Sequence, residues 1–290
     1  MEVGRMATWV QGQLRRLLVE HPVIESFEWR PNETFGASVP FVATAVATYL
    51  TLVFLFGRSI IPLPHPSPAL LRLLSSAHNL LLLILSAAMA AGCALSATAR
   101  LPSPRWLFCF PPSAIPRAGP LFFWAHVFYL SKLYELGDTL LILLAGPRRR
   151  LTFLHVYHHA VVVVMCYVWL ATAQSLMPIA LVTNAAVHVV MYAYYFSSST
   201  GRRWPPRWKR AVTDLQIAQF VFSFLVSGIF LWYHFTGGGC EGMRGWLFNA
   251  VFNASLLALF IDFHLKAYKE AKKKPKMKAA AAASPKAAES

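Results

Sequence analysis

An all-α membrane protein with seven transmembrane helices is the fold class this sequence predicts, and three observations carry it. Of 290 residues, 57% are hydrophobic and only 13% charged. Seven stretches each approach the ~20 apolar residues needed to cross a bilayer. Proline or arginine clusters separate them sharply. The predicted spans are residues 39–56, 69–95, 121–145, 152–172, 176–196, 211–235 and 245–266. The alternative is fewer spans joined by buried or re-entrant segments, and the sharp punctuation favours seven.

Residues 1–38 lack the basic-then-apolar layout of a cleavable signal peptide. The stretch from Trp9 to Trp29 mixes Arg15, Arg16, Glu20, Glu25 and Glu28 with apolar residues, which predicts a surface helix before the first span. Pro62, Pro64, Pro66 and Pro68 mark the first connection; Pro102, Pro104, Pro111, Pro112, Pro116 and Pro120 mark the second, and helices stop there. The excess of 27 Lys+Arg over 12 Asp+Glu is concentrated in alternate connections: Arg148, Arg149 and Arg150, then Arg202, Arg203, Arg207, Lys209 and Arg210, then Lys272, Lys273, Lys274, Lys276 and Lys278. With seven spans these fall on one side, which the positive-inside rule makes cytoplasmic, and the N-terminus is then luminal. Arg100, Arg105 and Arg117 in the second loop count against that orientation. Residues 269–290 are rich in Lys and Ala without apolar periodicity and are expected to be a disordered basic tail. No internal repeat divides residues 39–268, which read as one membrane domain.

The fourth span opens on His155, His158 and His159, spaced i, i+3 and i+4, so a helix puts all three rings on one face. A polar group at bilayer depth is costly without a partner or a task. The third span carries Lys132, Glu135, Asp138 and Thr139 on another shared face, which suits either a structural ion pair or support for catalysis. Asn184, His188, Tyr192 and Tyr195 form a stripe on the fifth span, and Thr213, Asp214, Gln216 and Gln219 begin the sixth. The economical packing turns these polar faces toward one enclosed site.

Cys93, Cys109, Cys166 and Cys240 have no metal-ligand spacing, so no metal site is expected from the thiols. In the topology above Cys109 and Cys240 both fall in non-cytoplasmic loops, where an oxidising lumen allows them to pair; two free thiols are the alternative.

Four blocks carry a resemblance: Lys-Leu-Tyr-Glu-Leu-Gly-Asp-Thr at 132–139, Leu-His-Val-Tyr-His-His at 154–159, Asn-Ala-Ala-Val-His-Val-Val-Met-Tyr-Ala-Tyr-Tyr at 184–195, and Thr-Asp-Leu-Gln-Ile-Ala-Gln-Phe at 213–220. In this order they resemble the signature blocks of the ELO family of fatty acid elongases, in flavour its plant and algal branch. The likeness covers residues from about 121 to 268; the first two spans and both termini match only in general character. The resemblance implies a very-long-chain 3-oxoacyl-CoA synthase of the endoplasmic reticulum that condenses long-chain acyl-CoA with malonyl-CoA and releases CO2 and CoA. It also implies seven helices, six forming a barrel around an acyl-chain tunnel. No tightly bound cofactor is expected. The bilayer, the two CoA thioesters, the reductases and dehydratase of an elongation complex and a second copy of the chain are the expected partners; a nucleic acid is not.

Decarboxylative Claisen condensation needs an acyl acceptor, a group for the enolate oxygen and exclusion of water. An imidazole can be the acceptor, since an N-acyl imidazole is about as activated as a thioester. The resemblance assigns that role to His158. His155 and His159 would then orient it, His188 or Asn184 would hold the enolate oxygen, and Glu135 and Asp138 would fix imidazole tautomers with Lys132 as counter-charge. Tyr192, Tyr195, Gln216 and Gln219 are expected along the substrate path. Arg202, Arg203, Lys209 and Arg210 are candidates for CoA phosphates, although a solvated positive-inside loop accounts for most of them. Cys166 follows His159 by seven residues and has nothing else to recommend it.

Two rivals remain at this level. A di-iron membrane desaturase or hydroxylase also uses an HxxHH box, but it needs several, and the remaining histidines, His78 among them, stand isolated in the sequence. A transporter or seven-helix receptor would line a pathway with the same polar faces, and the missing repeat counts against it. Some relatives place a lysine-based retrieval signal at the extreme C-terminus, and the Lys272 to Lys278 cluster lies too far upstream to serve as one.

Overall fold

The computed structural model describes residues 2–146, 151–202 and 204–283. Among them there is no strand, only a single bridge between Glu28 and Ala118. Two helices, α1 (Glu2–Leu18) and α2 (Pro22–Glu25), precede α3 (Val39–Gly57) and α4 (Pro68–Arg100). Then come α5 (Gly119–Tyr134), α6 (Leu136–Leu144), α7 (Phe153–Ala171), α8 (Met177–Ser199), α9 (Pro206–Thr236) and α10 (Met243–Ala283). Six are long and apolar enough to cross a membrane: Val39–Gly57, Pro68–Arg100, Phe153–Ala171, Met177–Ser199, Arg207–Thr236 and Met243–Lys266. That is the make-up of a multi-pass membrane protein.

The local signals explain where the helices begin. Ser38, Ser67 and Thr152 cap α3, α4 and α7 through bonds accepted by their hydroxyls from Phe41, Leu70 and His155 N–H. Pro68, Pro120 and Pro178 sit in first turns, where a missing N–H costs nothing. Prolines expected only as stops therefore also start helices.

The stretch expected as one span over residues 121–145 is divided into α5 and α6 at Glu135. There the backbone tightens: Asp138 N–H bonds to Glu135 C=O, three residues back, at 3.0 Å. Gly137 lies within this turn, and a Cβ on it would lie 3.1 Å from Cε1 of His78 on α4. The break lets α4 approach and turns the polar face of the segment inward.

Helix α4 packs most extensively on α8, and α8 also meets α9; α9 packs on α10, α10 on α7, α7 on α5 and α5 on α4. Helix α3 lies against α7 and α6. A small residue sets one crossing, since a Cβ at Gly92 would come within 2.1 Å of the Trp124 indole. Phe122, Phe128, Tyr129, Leu170, Met177 and Leu181 fill the centre. Leu52, Phe54, Leu225, Trp232 and Val251 stay exposed on the outer faces, as a lipid-facing surface requires.

One end of the bundle is closed. Cys109 and Cys240 are joined by a disulfide with Cα atoms 5.1 Å apart. Beside it Phe110 N–H donates to Ser175 Oγ at 3.1 Å, the Ser175 hydroxyl donates to Glu241 C=O at 2.8 Å, and Glu241 N–H donates to Phe110 C=O at 2.8 Å. Three inter-helix loops are thereby tied together. The N-terminal segment packs on the same end: Trp124 Nε1 donates to Leu18 C=O, Trp29 N–H to Arg117 C=O, and Tyr129 OH to Gly36 C=O. Arg100 pairs with Glu25 there.

The tail differs from expectation. The backbone stays helical in α10 to Ala283 instead of losing structure at 269, in keeping with its Ala and Lys content, both strong helix formers. Residues 284–290, Arg148, Arg149, Arg150 and Arg203 lie outside the described residues.

Candidate active site

Opposite the disulfide, a cavity of about 930 Å³ opens among the ends of α4, α6, α7, α8, α9 and α10. Its rim holds Pro68, Ala145, Thr152, Ser199, Lys209 and Phe263. Deeper in, it is lined by His155, His158 and His159 of α7, Asn184 and His188 of α8, and Asp138 of α6, with Glu135 at the α5–α6 break. The i, i+3, i+4 spacing brings the rings together: His155 and His159 centroids are 4.3 Å apart, His158 and His159 5.4 Å. Tyr192, Tyr195, Gln216 and Gln219 line the same cavity.

The partners differ among the imidazoles. His155 Nε2 lies 2.8 Å from Thr139 Oγ1, which in turn meets Tyr49 OH of α3 at 3.0 Å. His158 Nδ1 and His159 Nδ1 are buried without a hydrogen-bond partner in the protein, as is Asn184 Oδ1. Buried polar atoms are nearly always satisfied, so three unsatisfied ones at a single cavity mark a place built for a ligand.

Behind this wall, Lys132 Nζ sits 2.8 Å from Glu135 Oε1 and 3.3 Å from His188 Nδ1, and over the Phe128 ring at 4.5 Å. Lys132 does not line the cavity. His188 Nδ1 thus faces both the ammonium and, at 3.5 Å, Oε1 of Glu135, while its ring lines the cavity.

Asp138 was expected to orient the clustered histidines and does something else. Its Oδ1 is 2.8 Å from Nε2 of His78 on α4, and Tyr192 OH donates to its Oδ2 at 2.9 Å. Both oxygens are taken before the HxxHH rings are reached. Glu135 contacts only His188 among the site imidazoles, at 3.5 Å. Arg202 and Arg210 do not line the cavity; Arg210 Nε lies 3.5 Å from Asp214 Oδ2, one turn along α9. Of the described basic candidates, Lys209 alone lines it. Cys166 is buried in the core away from the cavity wall.

Sequence reasoning missed the contribution of α4. Arg72, Ser75 and Asn79 line the cavity at i, i+3 and i+7, a helical-face signal that was present but diluted by the apolar residues around it. Asn79 is 7% exposed and lines the cavity. His78, Thr139 and Tyr49 hold site residues from behind, and only contacts across helices reveal such roles. Among the described residues no three His, Cys, Asp or Glu side chains converge as a metal-ligand set.

The model of the ELO: GNS1/SUR4 family matches residues 34–276. The chain is 28% identical to "Fatty acid elongase 3-like" of Arabidopsis thaliana over 284 residues, covering 90% of this chain and 94% of that protein. It is 32% identical to "Putative fatty acid elongase 1" of Schizosaccharomyces pombe, covering 88% and 77% respectively. To "Long chain fatty acid elongase 1" of Caenorhabditis elegans it is 38% identical over 152 residues, half of each chain.

Proposed function

This chain belongs to the ELO, GNS1/SUR4, family and acts in fatty acid elongation, and from that premise we propose that it is a very-long-chain 3-oxoacyl-CoA synthase working through an acyl-imidazole on His158. The observation that carries the reading is the cavity, where His158 and Asn184, each with an unpartnered buried atom, meet His188.

In the first half-reaction a ring nitrogen of His158 attacks the thioester carbon of acyl-CoA. The C–S bond breaks, and CoA leaves as the thiolate, taking up the proton the ring gives up. Malonyl-CoA then loses CO2; the pair of the broken C–C bond becomes the enolate of acetyl-CoA. The enolate carbon attacks the acyl carbonyl, and the imidazole leaves with its electron pair and takes up a proton from solvent, the one the decarboxylation consumes overall, which restores the neutral ring. The His188 ring and the Asn184 amide are suited to the enolate oxygen, because donors aimed at developing charge in a water-poor site stabilise it strongly. His155, braced by Thr139, packs against His159, which stands edge-on to the acceptor and limits its orientation. Lys209 and Arg72 near the rim supply cations for CoA phosphates.

The helix contacts from α4 through α8, α9, α10, α7 and α5 return to α4, which supports a six-helix barrel with α3 as the outer, seventh span and α5 and α6 counted together as one. The basic residues Lys209 and Arg210 at the cavity end favour a cytosolic mouth, a luminal N-terminus and residence in the endoplasmic reticulum. The oxidised pair at the other end agrees with a luminal environment. No tightly bound cofactor enters this chemistry. Reductase and dehydratase partners, and a second copy, belong to the same reading.

The test is intact mass of purified protein incubated with a long-chain acyl-CoA and no malonyl-CoA. Wild type should gain one acyl group and His158→Ala none, with the adduct mapped to the ring. Chain extension without any adduct would keep the condensing enzyme and remove the acyl-imidazole.

A further inference from the structure

We propose that His78 is a positioning residue for this site, acting on Asp138 and through it on Tyr192 and His188. The inference rests on the condensing-enzyme reading above. His78 is buried, 8% exposed, and does not line the cavity. Its Nε2 lies 2.8 Å from Asp138 Oδ1, and because a carboxylate only accepts, the ring donates. The other oxygen accepts from Tyr192 OH at 2.9 Å. Tyr192 stands edge-on to His188, with ring centroids 5.6 Å apart. An unbroken series of contacts therefore runs from α4 to the imidazole proposed to hold the enolate oxygen.

The α5–α6 break is shaped around this one ring. Tyr134, the last residue of α5, stacks on His78 with centroids 4.9 Å apart and planes at 27°. Gly137, in the first turn of α6, faces Cε1 so closely that a Cβ would stand at 3.1 Å. Asp138 then supplies the hydrogen bond. Three residues within five positions close on one imidazole, which is more than a chance polar contact requires. The next residue, Asn79, lines the cavity instead, so adjacent positions on α4 divide the work: one braces the wall from behind and the other faces the substrate. Without His78 the carboxylate keeps one of its two fixed bonds and is free to turn, and the phenol that walls His188 turns with it.

The experiment measures 3-oxoacyl-CoA formation by the full-length protein in lipid nanodiscs, varying both thioesters. His78→Ala should lower kcat about tenfold or more, the scale of misplacing a group at a reacting centre, while KM for each thioester stays within about twofold of wild type. His78→Gln, whose amide nitrogen reaches the Nε2 position, should recover most of the rate; His78→Asn, which falls short of it, should not. In an Asp138→Ala background, which removes both acceptor oxygens, His78→Ala should cost nothing further, since its route to the site is already cut. The proposal is overturned if His78→Ala turns over at the wild-type rate, if Gln is no better than Asn, or if the full loss recurs in the Asp138→Ala background. Should the alanine variant fail to fold, the contrast between Gln and Asn decides alone. A wild-type protein that forms no 3-oxoacyl-CoA would instead remove the condensing-enzyme reading.

Discussion

Nζ of Lys132 lies 2.8 Å from Oε1 of Glu135, and both side chains are sealed from solvent, each 1% exposed. They sit on either side of the last turn of α5, so the ion pair and the helix break are one construction. His188 leans on the same oxygen at 3.5 Å, which joins that construction to the cavity wall.

Removing one partner of this pair strands the other as a buried charge. Lys132→Met and Glu135→Leu should each destabilise the protein by about 3–5 kcal/mol, whereas the double variant should be markedly less damaged than either single one. Thermal midpoints of the detergent-solubilised protein, read by retained monodispersity, would show the ordering. Equal damage in all three would mean that the pair matters for volume and not for charge.

The disulfide makes a counting prediction. Alkylation of the denatured, unreduced protein should label two thiols, Cys93 and Cys166, and after reduction all four. Cys240→Ser should lower stability by about 2–5 kcal/mol, given the 131-residue separation it closes. Four labelled thiols before reduction would remove the cross-link.

Thr139 stands between Tyr49 and His155, and its hydroxyl bridges them. Thr139→Val keeps the volume and removes both contacts, so turnover at saturating thioesters should fall by about tenfold through loss of ring orientation. Tyr49→Phe, one step farther out, should cost less. A larger loss for Tyr49→Phe than for Thr139→Val would point to a role for the phenol of its own.

The basic residues of the α8–α9 region should separate by position. Lys209→Ala, at the cavity rim, should raise KM for the CoA thioesters several-fold with kcat little changed. Arg202→Ala should leave both constants near wild type, because Arg202 is exposed and off the cavity wall. A KM effect from Arg202 would move the phosphate path away from the rim described here.

Much of this site was readable because helical periodicity depends only on spacing. The i, i+3, i+4 pattern of His155, His158 and His159, and the stripe from Asn184 to Tyr195, correctly group residues that line one cavity. Periodicity says nothing about which face of one helix meets which face of another. Asp138 therefore seemed a partner for the clustered histidines, when His78, sixty residues earlier, takes that carboxylate. The apolar stretch over 121–145 likewise looked continuous: its break comes from a tightened turn, a glycine and a packed imidazole, none of which interrupts hydropathy. Arg202 and Arg210 shared a charge cluster with Lys209, yet only the lysine lies on the cavity wall.

The rim residues of the cavity lie on one side of the bundle, while the opposite end is tied shut by Cys109 and Cys240. Two bulky thioesters that share one doorway must use it by turns. On the acyl-imidazole proposal the first CoA departs before the second donor arrives, so double-reciprocal plots against the two substrates should run parallel, and free CoA should compete with the malonyl donor for the vacated vestibule.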